Sequence, residues 1–160
     1  MKILFVCTGN TCRSAMADLY FRHLLKTSGK LPSVASFSAG TATREGLPAN
    51  GMVFQVLKEL GIDASQHSAT PVSETLLEEM DTIYVMTTAH GKTLRLISKC
   101  AEEKTRLFLS LVHGMEKEDL ADPFGGDLAI YQECFSSIRQ GIDNLFLDLL
   151  QAENSNITKS

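Results

Sequence analysis

Residues 2–14 read KILFVCTGNTCRS. The first five form a short, mostly apolar run, and the next eight are nearly all small: Cys7, Thr8, Gly9, Asn10, Thr11, Cys12, then Arg13 and Ser14. From Ser14 onward, Met16, Tyr20, Phe21, Leu24 and Leu25 fall on one face of a helix. The order is therefore strand, loop of small residues, helix start. An apolar run this short, bounded by turn residues, suits a strand buried on both faces of a parallel sheet.

The same alternation continues along the chain. Further strand candidates lie at 34–39, 82–86 and 105–109. A helix is expected over about 50–60, with Met52, Val53, Val56, Leu57 and Leu60 inward and Gly61 placed to end it. Ser73 can cap a short helix ending near Met80, and another helix should cover about 88–100. The clearest element is the last. Tyr131, Phe135, Ile138, Ile142, Leu145 and Leu149 step by four and three, giving one apolar face of a long helix. That face is most simply packed on the sheet; a helix–helix dimer seam is the alternative. The tail QAENSNITKS, 151–160, is polar and expected to fray. Residues 1–150 thus read as one α/β domain with a doubly wound parallel sheet covered by helices, and 151–160 as a polar C-terminal tail. Such sheets bind ligands at the carboxyl ends of their strands, which is where CTGNTCRS lies.

Composition narrows the classes. The 160 residues are 44% hydrophobic and 21% charged, as in an ordinary globular chain able to bury a core. The net charge of −4 and the lack of a basic stripe speak against nucleic acid as a partner. No apolar run approaches a membrane span, and no secretory signal precedes the first strand, so a cytoplasmic location without membrane attachment is expected. Cys7, Cys12, Cys100 and Cys134 lack the paired spacing of a zinc site, and the four histidines lack metal-like spacing; no metal is expected. A disulfide framework is not expected in such a chain either, which leaves room for a thiol kept for its reactivity.

A loop between strand and helix presents unpaired backbone N–H groups, and with the helix dipole these favour an anion. Gly9 lets the backbone curl close to a ligand, and Asn10 tolerates left-handed backbone angles. Residues 8–12 with Ser14 can form a cup for a tetrahedral oxyanion, and Arg13 can grip two of its oxygens. Cys7 would lie at the floor, where the positive field favours the thiolate, a nucleophile aimed at phosphorus. The Ser14 hydroxyl could stabilise that thiolate as it leaves. The bland reading is that Cys7 is a small core residue in a common Gly-containing turn. A thiol-phosphate route also needs an acid for the leaving group. Asp122 in ADPFGGD is the candidate, although Asp-Pro is equally a common turn opener. His67 reads as structural rather than catalytic.

CTGNTCRS near the start, Asp122-Pro123 about 115 residues later, SAG at 38–40 and MDTIYVM at 80–86 resemble the low-molecular-weight protein tyrosine phosphatase family over nearly the whole chain. The resemblance implies a four-stranded parallel sheet with helices on both faces. It further implies Cys7 as nucleophile, Arg13 as phosphate clamp, Asp122 as general acid, and no metal or cofactor. Several positions depart from the family. Thr11 stands where tyrosine-specific members usually have Ile, Phe124 and then Gly125-Gly126 follow Asp-Pro where aromatics are usual, Ala15 replaces a usual Pro, and Thr87 replaces an aspartate near the end of strand three. Thr11 with DPFGG resembles the bacterial protein-arginine phosphatase branch. A threonine hydroxyl can accept from a phosphorylated guanidinium, or orient the hydrolytic water, and Phe124 can stack on the guanidinium plane. The plain alternative for Thr11 is a neutral exchange of one β-branched residue for another. Cys12 is either a packing residue or, as the resemblance suggests, a partner for a reversible disulfide that protects Cys7.

The expected function is a cysteine-dependent phosphatase acting on phosphoarginine in proteins, with phosphotyrosine as the alternative substrate. Its partners would be phosphorylated proteins, and a monomer is favoured. A thioredoxin-coupled arsenate reductase is a remoter reading, because Cys100 and Cys134 lie far apart on predicted helices rather than as a close relay pair. A non-catalytic phosphate-binding adaptor would not need nucleophile, clamp and acid together.

Overall fold

The computed structural model describes residues 1–157. β1 (Lys2–Cys7) lies between β2 (Ala35–Gly40) and β3 (Thr82–Val85), and β4 (Thr105–Leu107) closes the far edge. The order is β2-β1-β3-β4, and every pairing is parallel. Alternation along β1 feeds two cores. Ile3, Phe5 and Cys7 face the layer of α1 (Arg13–Ser28), α2 (Gly51–Lys58) and the long C-terminal helix; Leu4 and Val6 face the layer of α3 (Glu74–Glu79), α4 (Thr88–Ile97) and α5 (Ala101–Lys104). Because the chain moves from β1 to β2 on one side and then crosses to β3 on the other, the end of β1 is the topological switch point.

The last helix, α6, runs Leu128–Ile157. Tyr131, Phe135, Ile138, Ile142 and Leu145 are buried in the core, so the apolar stripe packs within the molecule against α1, α2 and the 3-10 turn Phe108–Leu111. Residues 151–157, expected to fray, continue this helix; 158–160 lie outside the described residues. A polar run containing Gln151, Ala152 and Glu153 carries good helix formers, and polarity marks exposure rather than lost helicity. No helix among the described residues is long and apolar enough to cross a membrane.

Other boundaries differ from the sequence expectation for local reasons. The helix expected over 88–100 stops at Ile97, where Ser98 turns extended, and Cys100 caps the separate α5 instead of lying within a helix. The strand expected over 105–109 ends at Leu107, because Phe108 and Leu109 turn down into the core. Expected caps do form: the Ser73 hydroxyl accepts from Leu76 N at 3.2 Å, and Asn50 Oδ1 accepts from Met52 N at 2.9 Å.

Candidate active site

Loop 8–12 is held by its carbonyls. Cys7 O accepts from Thr41 N, Thr8 O from Ala42 N, Thr11 O from Asn50 N and Cys12 O from Met16 N, each at 2.9 Å. Asn10 O accepts from His67 Nε2 at 2.6 Å, so that nitrogen carries the ring proton. Burial lowers the His67 pKa and keeps the ring neutral. In a trans peptide the N–H points opposite to the preceding C=O. Outward carbonyls at 7, 8, 10, 11 and 12 therefore turn the N–H groups of 8, 9, 11, 12 and 13 inward. Cys12 caps α1 without a side-chain bond, leaving the helix's first donors to the same space.

Asn10 holds the curl. Its φ of 53° is left-handed. Its Oδ1 accepts from Thr70 N at 2.9 Å, and its Nδ2 donates to Ser14 Oγ at 2.9 Å. Gly40, the last residue of SAG, is set by close approach: a Cβ there would lie 2.7 Å from Thr8 O and 3.1 Å from Asn10 Cβ. The end of β2 must be bare for the loop to pass over it.

Cys7 is 2% exposed. Its Sγ accepts from Asn10 N at 3.3 Å and lies 2.9 Å from Ser14 Oγ. Ser14 receives the Asn10 amide on one lone pair. Its own proton has the sulfur at 2.9 Å and Ala39 O at 3.5 Å, so the shorter contact is to sulfur. A thiolate here meets two donors. Asn10 and Ser14 themselves are fully buried behind the loop, and their side chains hold it rather than line the cavity.

The cavity has a volume of about 210 Å³ and is lined by Cys7, Thr8, Gly9, Thr11, Cys12, Arg13, Asp122 and Phe124. Arg13 is 4% exposed; its NH1 donates to Leu120 O at 2.9 Å and its NH2 to Asp122 Oδ2 at 2.7 Å. Its Nε is buried with no protein acceptor. Asp122, 49% exposed, also accepts from Phe124 N at 3.2 Å. Phe124 is 73% exposed at the mouth. Gly126 N donates to Pro123 O at 2.9 Å, and Gly125 sits between them at φ +83°, the left-handed third position of a type II turn. The glycine that stands where the family has an aromatic is required by that turn.

Cys12 is buried with its Sγ 3.2 Å from Tyr131 OH, and burial raises its pKa. Cys134, one helical turn beyond Tyr131, is also brought behind the site, where burial pushes its thiol up to about 12; Cys100 lies exposed on the other layer. Sequence reading missed the buried His90, whose Nε2 lies 2.9 Å from Thr8 Oγ1 and whose Nδ1 lies 2.9 Å from Thr87 Oγ1. Only an X-x-x-His spacing, Thr87 to His90, hinted at it. Among the described residues no group of three or more His, Cys, Asp or Glu could hold a metal ion.

A family model described as low molecular weight phosphotyrosine protein phosphatase matches residues 2–156. The chain is 36% identical to the protein-arginine-phosphatase of Geobacillus stearothermophilus, covering 95% of this chain and 97% of that one. It is 35% identical to the probable low molecular weight protein-tyrosine-phosphatase EpsP of Ralstonia nicotianae, covering 88% and 90%. Among solved structures it resembles a YwlE arginine phosphatase, a cysteine-to-serine mutant with a phosphorylated active site serine, with a TM-score of 0.85, 31% identity, and coverage of 93% and 95%.

Proposed function

Because the chain belongs to the low molecular weight phosphotyrosine protein phosphatase family, we propose that it hydrolyses phosphoarginine in proteins through a phosphocysteine at Cys7. The observation that carries the reading is Cys7 Sγ, met by Asn10 N and Ser14 Oγ, on the wall of a cavity whose loop carbonyls at 7, 8, 10, 11 and 12 are held by groups outside the loop. A phosphoryl group in the cup places phosphorus against Cys7 Sγ. The thiolate attacks, the S–P bond forms and the P–N bond to the guanidinium breaks. Asp122 at the mouth gives the leaving nitrogen its proton. Water then attacks phosphorus, Asp122 takes a proton back, and Sγ departs as a thiolate stabilised by Ser14 and Asn10 N. Arg13 grips the equatorial oxygens, its Nε being the donor without a protein acceptor.

Three features favour a guanidinium over a phenyl leaving group. Thr11 supplies a hydroxyl in the wall of the cavity. Gly125 leaves that side of the mouth without a second aromatic. Asp122 offers a carboxyl oxygen to N–H donors beside Phe124, whose exposed ring can cover a guanidinium plane. Phe124 can equally cover a phenyl ring, which keeps phosphotyrosine as the second reading. The arsenate-reductase reading loses support, since Cys134 is buried behind the site while Cys100 is exposed at the start of α5 in the other layer, so the two form no close relay pair. Cys12 is proposed as the disulfide partner of Cys7: peroxide inactivation reversed by a thiol reductant, with a Cys7–Cys12 linkage seen by mass spectrometry, is expected, and its absence removes that role.

The test of the covalent step uses Cys7→Ser. An alcohol is a poor nucleophile and a poorer leaving group, so the variant should take up phosphate on Ser without turning over. Sustained turnover by this variant would end the thiol mechanism.

A further inference from the structure

We propose that Thr87 and His90 turn the Thr8 hydroxyl into an O–H donor of the phosphate cup, with His90 as a positioning residue; this rests on the phosphatase reading of the site. His90 is 6% exposed, and both ring nitrogens are engaged. Thr87 Oγ1 caps α4 by accepting from His90 N at 3.3 Å and lies 2.9 Å from His90 Nδ1. A hydroxyl that accepts the backbone N–H on one lone pair has its own proton to give to Nδ1. We assign that proton to Nδ1, which makes Nδ1 the acceptor and puts the ring proton on Nε2, facing Thr8. Burial first, and then Arg13, lower the His90 pKa to about 4 against the opposing pull of Asp122 and Asp119, so the ring is neutral with a single proton to place.

Nε2–H then donates to Thr8 Oγ1 across 2.9 Å. Thr8 cannot return its proton to that nitrogen, and Thr8 lines the cavity of Cys7 and Arg13. Its O–H is left to point at an anion. In the other tautomer Thr8 would give its proton to Nε2 and present lone pairs to the phosphate, a repulsive arrangement. The helix cap of α4 thus sets the sign of the Thr8 dipole at the cup. No part of this follows from the nucleophile, clamp and acid.

Inorganic phosphate is the probe, with dissociation constants measured for wild type, Thr8→Val, His90→Phe, the double variant and His90→Gln. The tautomer of His90 is read from long-range 1H–15N correlation at neutral pH. The expected result is an Nε2–H ring, with Thr8→Val and His90→Phe each weakening phosphate by about tenfold, as for a lost hydrogen bond to a charged group. The double variant should be no weaker than either single, because the two act as one unit. His90→Gln, whose amide N–H can replace Nε2–H, should recover part of the loss. An Nδ1–H ring, or phosphate affinity unchanged in Thr8→Val, overturns the relay. If His90→Phe does not fold, the tautomer and Thr8→Val decide alone. Wild type that binds no phosphate at all overturns the phosphatase reading and the relay with it, whereas binding unaffected by Thr8→Val removes the relay only.

Discussion

Replacing Thr11 with isoleucine removes one hydroxyl from the cavity wall and adds apolar surface beside Gly9. The guanidinium donors of phosphoarginine lose an acceptor, and an unpaired buried donor costs about 1–3 kcal/mol, or roughly five- to a hundredfold in rate. A phenyl ring makes no such demand. Thr11→Ile should therefore lower the ratio of kcat/KM for phosphoarginine to that for phosphotyrosine; an unchanged ratio makes Thr11 a neutral variant. Asp122→Asn is expected to slow substrates with poor leaving groups far more than activated aryl phosphates, because only the former need the proton. Equal losses across a leaving-group series would leave Asp122 as a turn residue. Cys7 and Arg13 stood out in the sequence by their own side chains and Asp122 by the resemblance, and the structure brings the three to one cavity. The holding residues did not: Asn10 O meets His67 across 57 positions, and Thr8 meets His90 across 82. Those pairings exist only once the sheet has assembled.

The loop and β2 are one element in practice, joined where Gly40 passes beneath Thr8 and Asn10. Gly40→Ala puts a methyl 2.7 Å from a carbonyl already engaged by Ala42 N, with backbone rather than a flexible side chain in the way. A destabilisation of about 1–3 kcal/mol is expected from such overpacking, read by chemical denaturation, together with weakened phosphate binding. An alanine variant of wild-type stability and affinity would show that the loop does not depend on the close approach. Element types were legible because short apolar runs bounded by turn residues alternate with segments whose apolar residues recur at helical spacing. Ends were less so. Neither the break at Ser98 nor the turn-down at Phe108 carries a local Gly or Pro signal, and Phe108 turns down to pack against Phe5 of β1. Gly125 was legible as a glycine, but the left-handed turn that requires it was not.

The whole molecule places the cup at the switch point and sets two neutral histidines around it, His90 buried and His67 half-buried. His90 sits at about 4 in the folded state against 6.5 as its ordinary value, and burial moves His67 in the same direction. Between those values the unfolded chain takes up a proton that the folded chain refuses, so stability falls as pH is lowered from 6.5 towards 4. For His90 the limit is about 3 kcal/mol. Thermal melts across that range should show Tm falling with pH, and less steeply in His90→Gln; parallel slopes would deny the burial cost. The alternation of strand and helix was readable from the sequence because β1, its loop and α1 follow one another without interruption; the order β2-β1-β3-β4 was not, and α6 covers α1, α2 and the turn at 108–111 where the sheet was expected. Everything the molecule assembles at this switch point serves one reaction. Its most direct measurement is kcat/KM for phosphoarginine and phosphotyrosine in the same peptide sequence, side by side, with Cys7→Ser as control. Faster hydrolysis of phosphoarginine by the wild type and no turnover of either substrate by Cys7→Ser are expected; equal or faster hydrolysis of phosphotyrosine would rule out phosphoarginine as the preferred substrate.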